Sequence, residues 1–470
     1  MSGSLFNHLA VFNFRGKSVR LKKLVVKNFK SLRDCEVELD KFNVLIGPNA
    51  SGKTNLVEVF KLLRKIYVER DDNPFLEWWG YNNVVWAGKE ELPITVGMLF
   101  DVEGYGIYFE TTFTGTGGSF RILKEVLEVL EYVRIEKTGN IVKVAHSQEL
   151  AERIRDVLDT AENIAENVHT NDIDTIRPDL KRLKSLVTEG YSLEGIPPNW
   201  TLFSVLMPNT PQTMLINVLF KKTPLRVSIV GEFPNYGLIV SPAVTREDAL
   251  VYPNIISSFP VLFEEFIGQL PVRDVNPSII RKPQYPRKET TLKEDASNLV
   301  PLLYNIWLRE GRLPDEIAKP ISIAFPNTRV FFQLTEDGRV MMKVFENDLE
   351  LAPPGISDGF YKVLAILTAA YLKPPLLIID EIENSLHPET LELIIDTLKE
   401  SESQVIITTH SPVVVDIVEP SELILVEKEQ GETAFKRIKN PEKIKKFLNE
   451  KGITLSEGWL YGSLFENDEQ

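Results

Sequence analysis

The chain has 470 residues, 43% of them hydrophobic and 26% charged, and its formal net charge is −14. A chain of this length can bury a large core and form roughly two to four domains. The negative charge argues against a protein that coats nucleic acid over its whole surface, although it is compatible with a local basic patch. No apolar run approaches the roughly 20 residues that span a bilayer, and no signal-peptide pattern opens the chain, so we expect a cytoplasmic protein with no membrane partner.

Cysteine and histidine are scarce in this sequence. Cys35 is the single cysteine, so an intramolecular disulfide and a cysteine-built zinc site are both excluded. The five histidines are scattered along the chain. These residues are therefore too few and too scattered to build a metal cluster, and any metal is expected to come with a bound ligand.

Alternating apolar and polar residues at the start of the chain predict β-strands. Residues 9–14 and 19–29 flank a short basic turn and favour a β-hairpin, and a further strand is predicted over 35–39. A solvated strand face explains the basic residues of this region best, and contact with phosphate or nucleic acid is the alternative. These residues are Arg15, Lys17, Arg20, Lys22, Lys23, Lys27 and Lys30.

A glycine-bounded loop follows the apolar strand predicted over 42–46. It fits G-x-x-x-x-G-K-[ST] without a gap and predicts a phosphate-binding P-loop. Glycines let successive backbone N–H groups point at an anion, and the next helix begins there with its positive dipole end. A chance match in a surface loop is the alternative, but the strand–loop–helix context argues against it. The predicted nucleotide-binding residues are Gly47, Pro48, Asn49, Ala50, Ser51, Gly52, Lys53, Thr54 and Asn55.

Two of these side chains have specific expected roles. Lys53 would reach the β- and γ-phosphates, and the hydroxyl of Thr54 would hold Mg²⁺.

The middle of the chain carries no chemical motif. Strands are predicted over 94–100, 107–113 and 120–123, while 125–132 is compatible with a strand or a short helix. Apolar residues at helical spacing over 148–168 and 176–187 predict two amphipathic helices of an inserted arm or lid.

A basic, proline-broken segment over 281–288 is interpreted as an exposed connector, with backbone contact to nucleic acid as the alternative. A helix is predicted to begin at Ser297-Asn298, and strands are predicted over 325–332 and 340–345.

Two carboxylates follow the continuous apolar run of residues 376–379, a pattern typical of a buried parallel strand. Asp380 is predicted to bind Mg²⁺ opposite Thr54, and Glu381 to orient and deprotonate the attacking water. An acid pair that only caps the next helix is the alternative. His410 ends the next buried strand, over 405–409, where its side chain could hydrogen-bond a γ-phosphate or the water.

A second anion-binding feature is predicted before the acid strand. Ser357 and Gly359 stand at the start of a helical pattern, where free backbone N–H groups favour an anion.

These features together resemble the ABC-type ATPase heads of the SMC and RecF kind, and most closely the OLD-like predicted AAA-type ATPases. The resemblance covers roughly residues 19–125 and 270–430. It rests on residues 28–32, the P-loop, Ser357-Asp358-Gly359, residues 380–388 and residues 408–412, with residues 295–299 similar to the family's connector.

The resemblance implies an α/β fold: an ABC-type ATPase head with a mixed central sheet flanked by helices, an antiparallel β lobe and an inserted helical arm or lid. Four parts are expected. They are an N-terminal half of the head over 1–135, an arm or lid region over 136–270, a C-terminal half of the head over 271–430 and a C-terminal tail over 431–470.

The resemblance also implies a composite site in a homodimer. Each ATP and its Mg²⁺ at one P-loop would be closed by Ser357 and Gly359 of the other protomer. Lys53, Glu381 and His410 are the expected catalytic residues, and Lys30 is a candidate phosphate contact. Asn384 and Ser385 are expected in the loop that lines the dimer interface.

Two features depart from the family pattern. ABC-type heads place a glutamine between the P-loop helix and the arm, whereas the first glutamine here is Gln148. OLD nucleases continue into a Toprim nuclease domain, for which residues 411–470 are too few, so we expect that this chain does not cut DNA by itself.

The leading hypothesis is an ATPase that dimerises on ATP and drives a DNA-linked process such as repair or defence against foreign DNA. DNA and a separate nuclease or effector protein are the candidate partners. The alternative is an ATP-gated clamp or scaffold that regulates a protein partner with slow turnover.

Overall fold

The computed structural model describes residues 19–148, 191–198, 200–206, 227–231, 236–240, 251–462 and 464, together with positions 152, 155 and 159. The chain divides into two compact units. One comprises residues 1–19 and 90–263, and the other residues 20–89 and 264–470. We call them the β unit and the P-loop unit. The four-part division expected from the sequence stays a prediction.

The P-loop unit begins with an antiparallel hairpin of β1 (Val19–Phe29) and β2 (Leu32–Glu38). Its lysines pair with acids across the hairpin, Lys23 with Glu36 and Lys27 with Asp34, as the interpretation of a solvated strand face expects. The predicted partner strand over 9–14 lies outside the described residues. Strand β3 (Phe42–Ile46) then leads through the P-loop into α1 (Lys53–Tyr67).

The β unit is built mainly on antiparallel strands that pair in chain order. In the segment over 125–132, whose type the sequence left open, residues 125–129 belong to a strand that pairs on both sides, and residues 130–132 form a turn. The two predicted arm helices lie almost wholly outside the described residues. The strands are β4 (Ile94–Val102), β5 (Tyr105–Thr114), β6 (Arg121–Val129), β7 (Val133–Thr138), β8 (Ile141–His146) and β9 (Tyr191–Leu193).

Aromatic packing holds the β unit together. The ring of Phe109 packs at an angle against Phe203 of α2 (Leu202–Leu206) and against Phe259 and Phe263 of α3 (Val251–Phe266), with ring centroids 4.9–5.8 Å apart. Two further strands, β10 (Val227–Gly231) and β11 (Tyr236–Val240), pair antiparallel.

The chain returns to the P-loop unit with helices and a small antiparallel sheet. The predicted strand over 325–332 is observed at 328–334, because a helix that the sequence did not predict extends to Ala324. That helix contains Pro320, a residue that normally ends helices, which explains the omission. The elements are α4 (Pro277–Ile280), α5 (Leu299–Glu310), α6 (Asp315–Ala324), β12 (Thr328–Leu334), β13 (Val340–Glu346), β14 (Leu349–Leu351) and α7 (Asp358–Tyr371).

A five-stranded mixed sheet forms the centre of the P-loop unit, in the order β15-β16-β3-β17-β18. Its first four strands are parallel and β18 is antiparallel to β17. The remaining elements are β15 (Leu376–Ile379), α8 (Pro388–Glu400), β16 (Gln404–Thr409), α9 (Pro412–Ile417), β17 (Leu423–Glu429), β18 (Glu432–Arg437), α10 (Pro441–Lys451) and α11 (Leu455–Leu460).

The sheet explains why distant motifs meet. The register sets Ile46 beside Thr409 and Ile379 beside Ile407, so β3, β15 and β16 end at the same edge. Carboxyl ends of parallel strands are where ligands bind in α/β folds. The mixed α/β fold with an antiparallel lobe confirms the fold class expected from the sequence.

Within the predicted C-terminal tail, residues 432–460 form β18, α10 and α11. Ile444 and Leu464 are fully buried in the core of the P-loop unit, together with residues of the central sheet. None of the helices that the structure describes has the length and apolar character of a bilayer span.

Candidate nucleotide-binding site

The P-loop curls between β3 and α1 and packs tightly on its neighbours. A Cβ atom on Gly47 would lie 2.2 Å from the carbonyl oxygen of Val426, and one on Gly52 would lie 2.1 Å from Oγ1 of Thr433. Gly52 also has a φ of 113°, in the left-handed region. Both positions therefore require glycine, the first for the close approach of backbone and the second for its conformation as well.

Lys53 points back over the loop. Its Nζ donates to the carbonyl oxygens of Gly47, at 2.7 Å, and Pro48, at 3.0 Å. Burial lowers the pKa of Lys53 because it removes water from the ammonium group, and the nearby Glu383, Glu381 and Asp380 oppose that shift. The P-loop lysine and the strand-end acids thus share one electrostatic environment.

Asp380 and Glu381 are fastened to the neighbouring strand by Thr408. The Thr408 hydroxyl donates to Oδ1 of Asp380 and accepts from the backbone N–H of Glu381 at 2.9 Å. Asp380 is only 4% exposed, and burial raises its pKa, although Thr408 and Arg273 oppose the rise. Thr408 therefore holds the Asp380 carboxylate and the backbone of Glu381.

Glu381 stands in an unusual backbone conformation with a φ of 48°. Such strain persists only where surrounding contacts enforce it. Its carbonyl oxygen accepts from Nζ of the buried Lys362 at 2.5 Å, and its Oε2 accepts from Nδ2 of Asn384 at 2.7 Å. Burial lowers the pKa of Lys362 to about 8.

His410 is oriented by a carboxylate that the sequence analysis did not assign. Oε1 of Glu383 lies 2.9 Å from Nδ1 of His410 and 2.8 Å from its backbone nitrogen. Oε2 of Glu383 is buried and has no hydrogen-bond partner among the described residues. The imidazole is therefore held by its Nδ1 side, which leaves Nε2 for another contact.

Ser357 and Gly359 stand at the start of α7, as predicted. Ser357 is the N-cap residue, and its Oγ accepts from the backbone N–H of Phe360 at 3.2 Å. A Cβ atom on Gly359 would lie 2.4 Å from the carbonyl oxygen of Ser385. Gly359 is thus needed for packing within the chain, and its contact with a nucleotide stays a prediction.

Arg281 was assigned to an exposed connector, but the structure engages it with the loop before α7. Its guanidinium donates to the carbonyl oxygens of Pro353, at 3.0 Å, and Ile356, at 2.7 Å, and to Asp358 at 2.7 Å. It also lies 5.3 Å from the ring centroid of Tyr361. Arg281 therefore holds the backbone of the loop that leads into Ser357.

Lys30 and Asn55 make contacts within the protein. Lys30 pairs with Glu58 of α1 and lies 5.7 Å from the ring centroid of Trp78. Nδ2 of Asn55 donates to Oγ of Ser31 at 2.6 Å. The nucleotide contacts predicted for Lys30 and Asn55 stay predictions.

The residues present fit a magnesium nucleotide. Oγ of Ser51, inside the P-loop, is buried and has no hydrogen-bond partner among the described residues, as expected of a group that faces a ligand. No cluster of three or more His, Cys, Asp or Glu side chains in the described part of the chain could hold a metal by itself. Thr54 and Asp380 would supply two oxygen ligands, and Mg²⁺ usually takes the rest from substrate phosphates and water.

Two family models match the chain. Residues 20–190 match the model described as "AAA ATPase domain", and residues 258–416 match the model described as "AAA domain, putative AbiEii toxin, Type IV TA system". Residues 20–190 and 258–416 are thus each similar to an AAA-type ATPase domain.

Curated relatives match shorter stretches. The DNA replication and repair protein RecF of Vibrio campbellii is 43% identical over 44 residues, which are 9% of this chain and 12% of RecF. The uncharacterized protein MJ1542 of Methanocaldococcus jannaschii is 36% identical over 87 residues, which are 18% of this chain and 10% of that protein. The chain therefore spans only about a tenth of the length of these relatives.

Two solved structures are similar over most of the chain. The Smc head domain of Pyrococcus furiosus, bound to the C-terminal domain of ScpA, is 14% identical with a TM-score of 0.44, over 92% of this chain and 100% of that one. The SMC head domain of Thermotoga maritima is 14% identical with a TM-score of 0.38, over 89% of this chain and 99% of that one. At this level neither structure bears on activity.

The P-loop at the strand edge and the two domain matches are features typical of P-loop ATPases. The RecF matches support the SMC/RecF group of ABC-type ATPases. The OLD-like subtype stays a prediction.

Proposed function

We propose that the chain binds ATP with Mg²⁺ and hydrolyses it in a head-to-head homodimer that drives a DNA-linked process such as repair or defence against foreign DNA. A separate effector or nuclease subunit would act on the DNA. One observation carries this proposal. The P-loop, the acids after β15 and His410 after β16 all stand at one edge of the central sheet.

The chain's own groups divide the work of hydrolysis. P-loop N–H groups and Lys53 bind the phosphates, and Thr54 and Asp380 hold Mg²⁺, which neutralises phosphate charge when it is bound. Glu381 accepts the proton of the attacking water, and Asn384 orients its carboxylate at 2.7 Å. His410, aligned by Glu383, contacts the water or the γ-phosphate.

The partner protomer completes the site in this proposal. The N-terminus of α7 presents Ser357 and free backbone N–H groups, which suit an anion. Arg281 holds the loop before Ser357, so the surface offered to the other protomer is pre-organised.

Glu381→Gln tests the catalytic part of the proposal. The amide cannot accept a proton, so we expect ATP turnover to fall about a hundredfold or more while nucleotide binding remains. A stable ATP-bound dimer should then accumulate in size-exclusion chromatography. Glu389→Gln, at an exposed position of α8, is the matched control, and normal hydrolysis in Glu381→Gln would refute the assignment.

An ATP-gated clamp or scaffold on a protein partner is the second candidate. Two observations favour it: the net charge of −14, and the pairing of Lys23 and Lys27 with acids, which leaves fewer cations for phosphates. Measuring DNA affinity over a range of salt concentrations separates the candidates. Binding that weakens as salt rises supports the DNA-linked process. A lack of binding to duplex and single strands, with and without ATP, supports the clamp.

A further inference from the structure

Arg273 is placed beside the strand-end acids by the backbone before it. Val272 forms a parallel bridge with Ile379, and its N–H donates to the carbonyl oxygen of Ile378 at 2.9 Å. The N–H of Asp380 in turn donates to the carbonyl oxygen of Val272 at 3.0 Å. The segment therefore extends the edge of the sheet next to β15, and the position of Arg273 is fixed.

The guanidinium of Arg273 is surrounded by three carboxylates. Its Nε lies 3.4 Å from Oδ2 of Asp380 and 3.2 Å from Oδ2 of Asp274, and its Nη1 lies 3.7 Å from Oε1 of Glu58. The side chain of Asp380 is 3% exposed, whereas that of Asp274 is 77% exposed. Among the described residues, Arg273 forms the ion pair with Asp380, while Lys53 and Lys362 interact with it electrostatically from further away.

The contact between Arg273 and Asp380 involves Oδ2, a carboxylate oxygen of a predicted Mg²⁺ ligand. Thr408 donates to Oδ1 of Asp380 and Arg273 lies against Oδ2, so both carboxylate oxygens of Asp380 have a partner within the protein. Thr54 and Glu58 are four residues apart in α1 and therefore share one face of the helix. Arg273 therefore contacts both Glu58, one helical turn after Thr54, and Asp380. Thr54 and Asp380 are the two predicted metal ligands.

We propose that Arg273 holds the place of Mg²⁺. Without a metal nucleotide its guanidinium neutralises Asp380, and it yields Oδ2 when Mg²⁺ binds, keeping Glu58 and Asp274 as partners. This inference rests on the proposed nucleotide site. Arg273 is a positioning residue in this scheme, since it acts through Asp380 and does not touch the nucleotide.

The direction of the expected effect is specific, because a competitor for Mg²⁺ is removed when Arg273 is replaced. In Arg273→Gln, the Mg²⁺ concentration that gives half-maximal binding of a fluorescent non-hydrolysable ATP analogue should fall about two- to fivefold, the range of a partly exposed ion pair. Arg273→Lys should lie between Arg273→Gln and the parent chain. Arg329→Gln, which breaks an exposed pair with Asp348 elsewhere in the P-loop unit, should leave the Mg²⁺ dependence unchanged.

A second measurement needs no nucleotide. In EDTA, Arg273→Gln should lower the unfolding temperature more in the parent chain than in an Asp380→Asn background, because the pair exists only in the former. Equal effects in the two backgrounds would overturn the proposal.

The titration also has outcomes that overturn the proposal. They are an unchanged or higher Mg²⁺ requirement in Arg273→Gln, and weaker analogue binding at saturating Mg²⁺, which would make Arg273 a nucleotide ligand instead. If the parent chain binds no magnesium nucleotide at all, the proposed function itself fails. If the parent chain binds it and Arg273→Gln leaves the Mg²⁺ dependence unchanged, only the inference about Arg273 fails.

Discussion

Oγ1 of Thr433 lies 2.7 Å from Oγ of Ser31, although 402 positions separate them in the chain. The same Thr433 hydroxyl donates to the carbonyl oxygen of Ser51 at 2.8 Å, and Asn55 donates to Ser31 at 2.6 Å. Strand β18 therefore contacts the P-loop through the side chain of Thr433 and stabilises it. The geometry of the predicted phosphate site depends on a strand that lies far from it in sequence.

Replacing Thr433 should loosen the P-loop. Thr433→Val keeps the shape of the side chain but leaves the buried Ser51 carbonyl without its donor, so we expect a loss of about 1–3 kcal/mol in the free energy of unfolding. Nucleotide affinity should fall as well, because the loop is less ordered. Urea unfolding and a nucleotide-binding titration measure the two effects.

Thr95→Val is the control for Thr433→Val. Thr95 shares a comparable hydroxyl contact with Thr112, at 2.9 Å, but in the β unit. It should lose stability without losing nucleotide affinity. Equal nucleotide affinity in Thr433→Val and the parent chain would contradict the role given to β18.

Gly359 should not tolerate a side chain. The Cβ atom in Gly359→Ala would lie 2.4 Å from the carbonyl oxygen of Ser385, so α7 and the loop over 384–386 must move apart. We expect a destabilisation of about 1–3 kcal/mol and a weaker ATP-dependent dimer. Chemical unfolding and size-exclusion chromatography provide the measurements.

Gly355→Ala tests whether the effect at Gly359 is local. Gly355 stands four residues earlier, and its Cβ atom would meet nothing within 4 Å. This variant should behave like the parent chain. If the two alanine variants are equally stable, the contact between α7 and Ser385 does not constrain Gly359.

Glu383 should matter for turnover more than for binding. Glu383→Gln removes the charge-assisted contact with Nδ1 of His410, so the imidazole loses its alignment. We expect kcat for ATP hydrolysis to fall about tenfold with little change in nucleotide affinity. Steady-state kinetics together with equilibrium binding will separate the two quantities.

Glu392→Gln, on the exposed face of α8, serves as the comparison for Glu383→Gln. An unchanged kcat in Glu383→Gln would mean that His410 does not need this carboxylate.

Cys35 should be unreactive while the protein is folded. Burial raises the pKa of its thiol to about 11, and Sγ donates to the carbonyl oxygen of Thr433 at 2.8 Å. Alkylation near pH 8 should therefore be slow in the native state and rapid after unfolding. The rate of thiol labelling reports directly on this difference.

The same thiol should contribute to the pH dependence of stability. Its folded pKa is above the ordinary value of 9.0, so its contribution is fully present below pH 9 and is lost as pH rises through about 11. Urea unfolding of the parent chain and Cys35→Ala between about pH 8 and pH 11 tests this. The parent chain should lose more free energy of unfolding than the variant, and parallel curves would contradict the expectation.

The local sequence pattern was enough to predict the segments that form the phosphate site. The P-loop, the acids after β15 and the strand before His410 are contiguous segments, and each is defined by the end of a buried strand. Parallel strands end at a common edge, so the sequence by itself also predicted that these segments belong to one site. The mixed α/β fold followed from the same pattern.

Only the tertiary structure identified the residues that support and tune this site. Thr433 and Arg273 belong to no motif of the sequence. Thr408 lies in a motif of the family resemblance and Arg281 in the basic segment over 281–288, but the local sequence does not show what either side chain contacts. Each of these residues acts through a contact with another element. Thr433 donates to the Ser51 carbonyl, and Thr408 contacts the two strand-end acids. Arg273 lies beside Oδ2 of Asp380, and Arg281 binds the loop before Ser357. The physical reason is that backbone periodicity is written locally, whereas side-chain hydrogen bonds and ion pairs form only when the folded sheet brings distant strands within about 3 Å of one another.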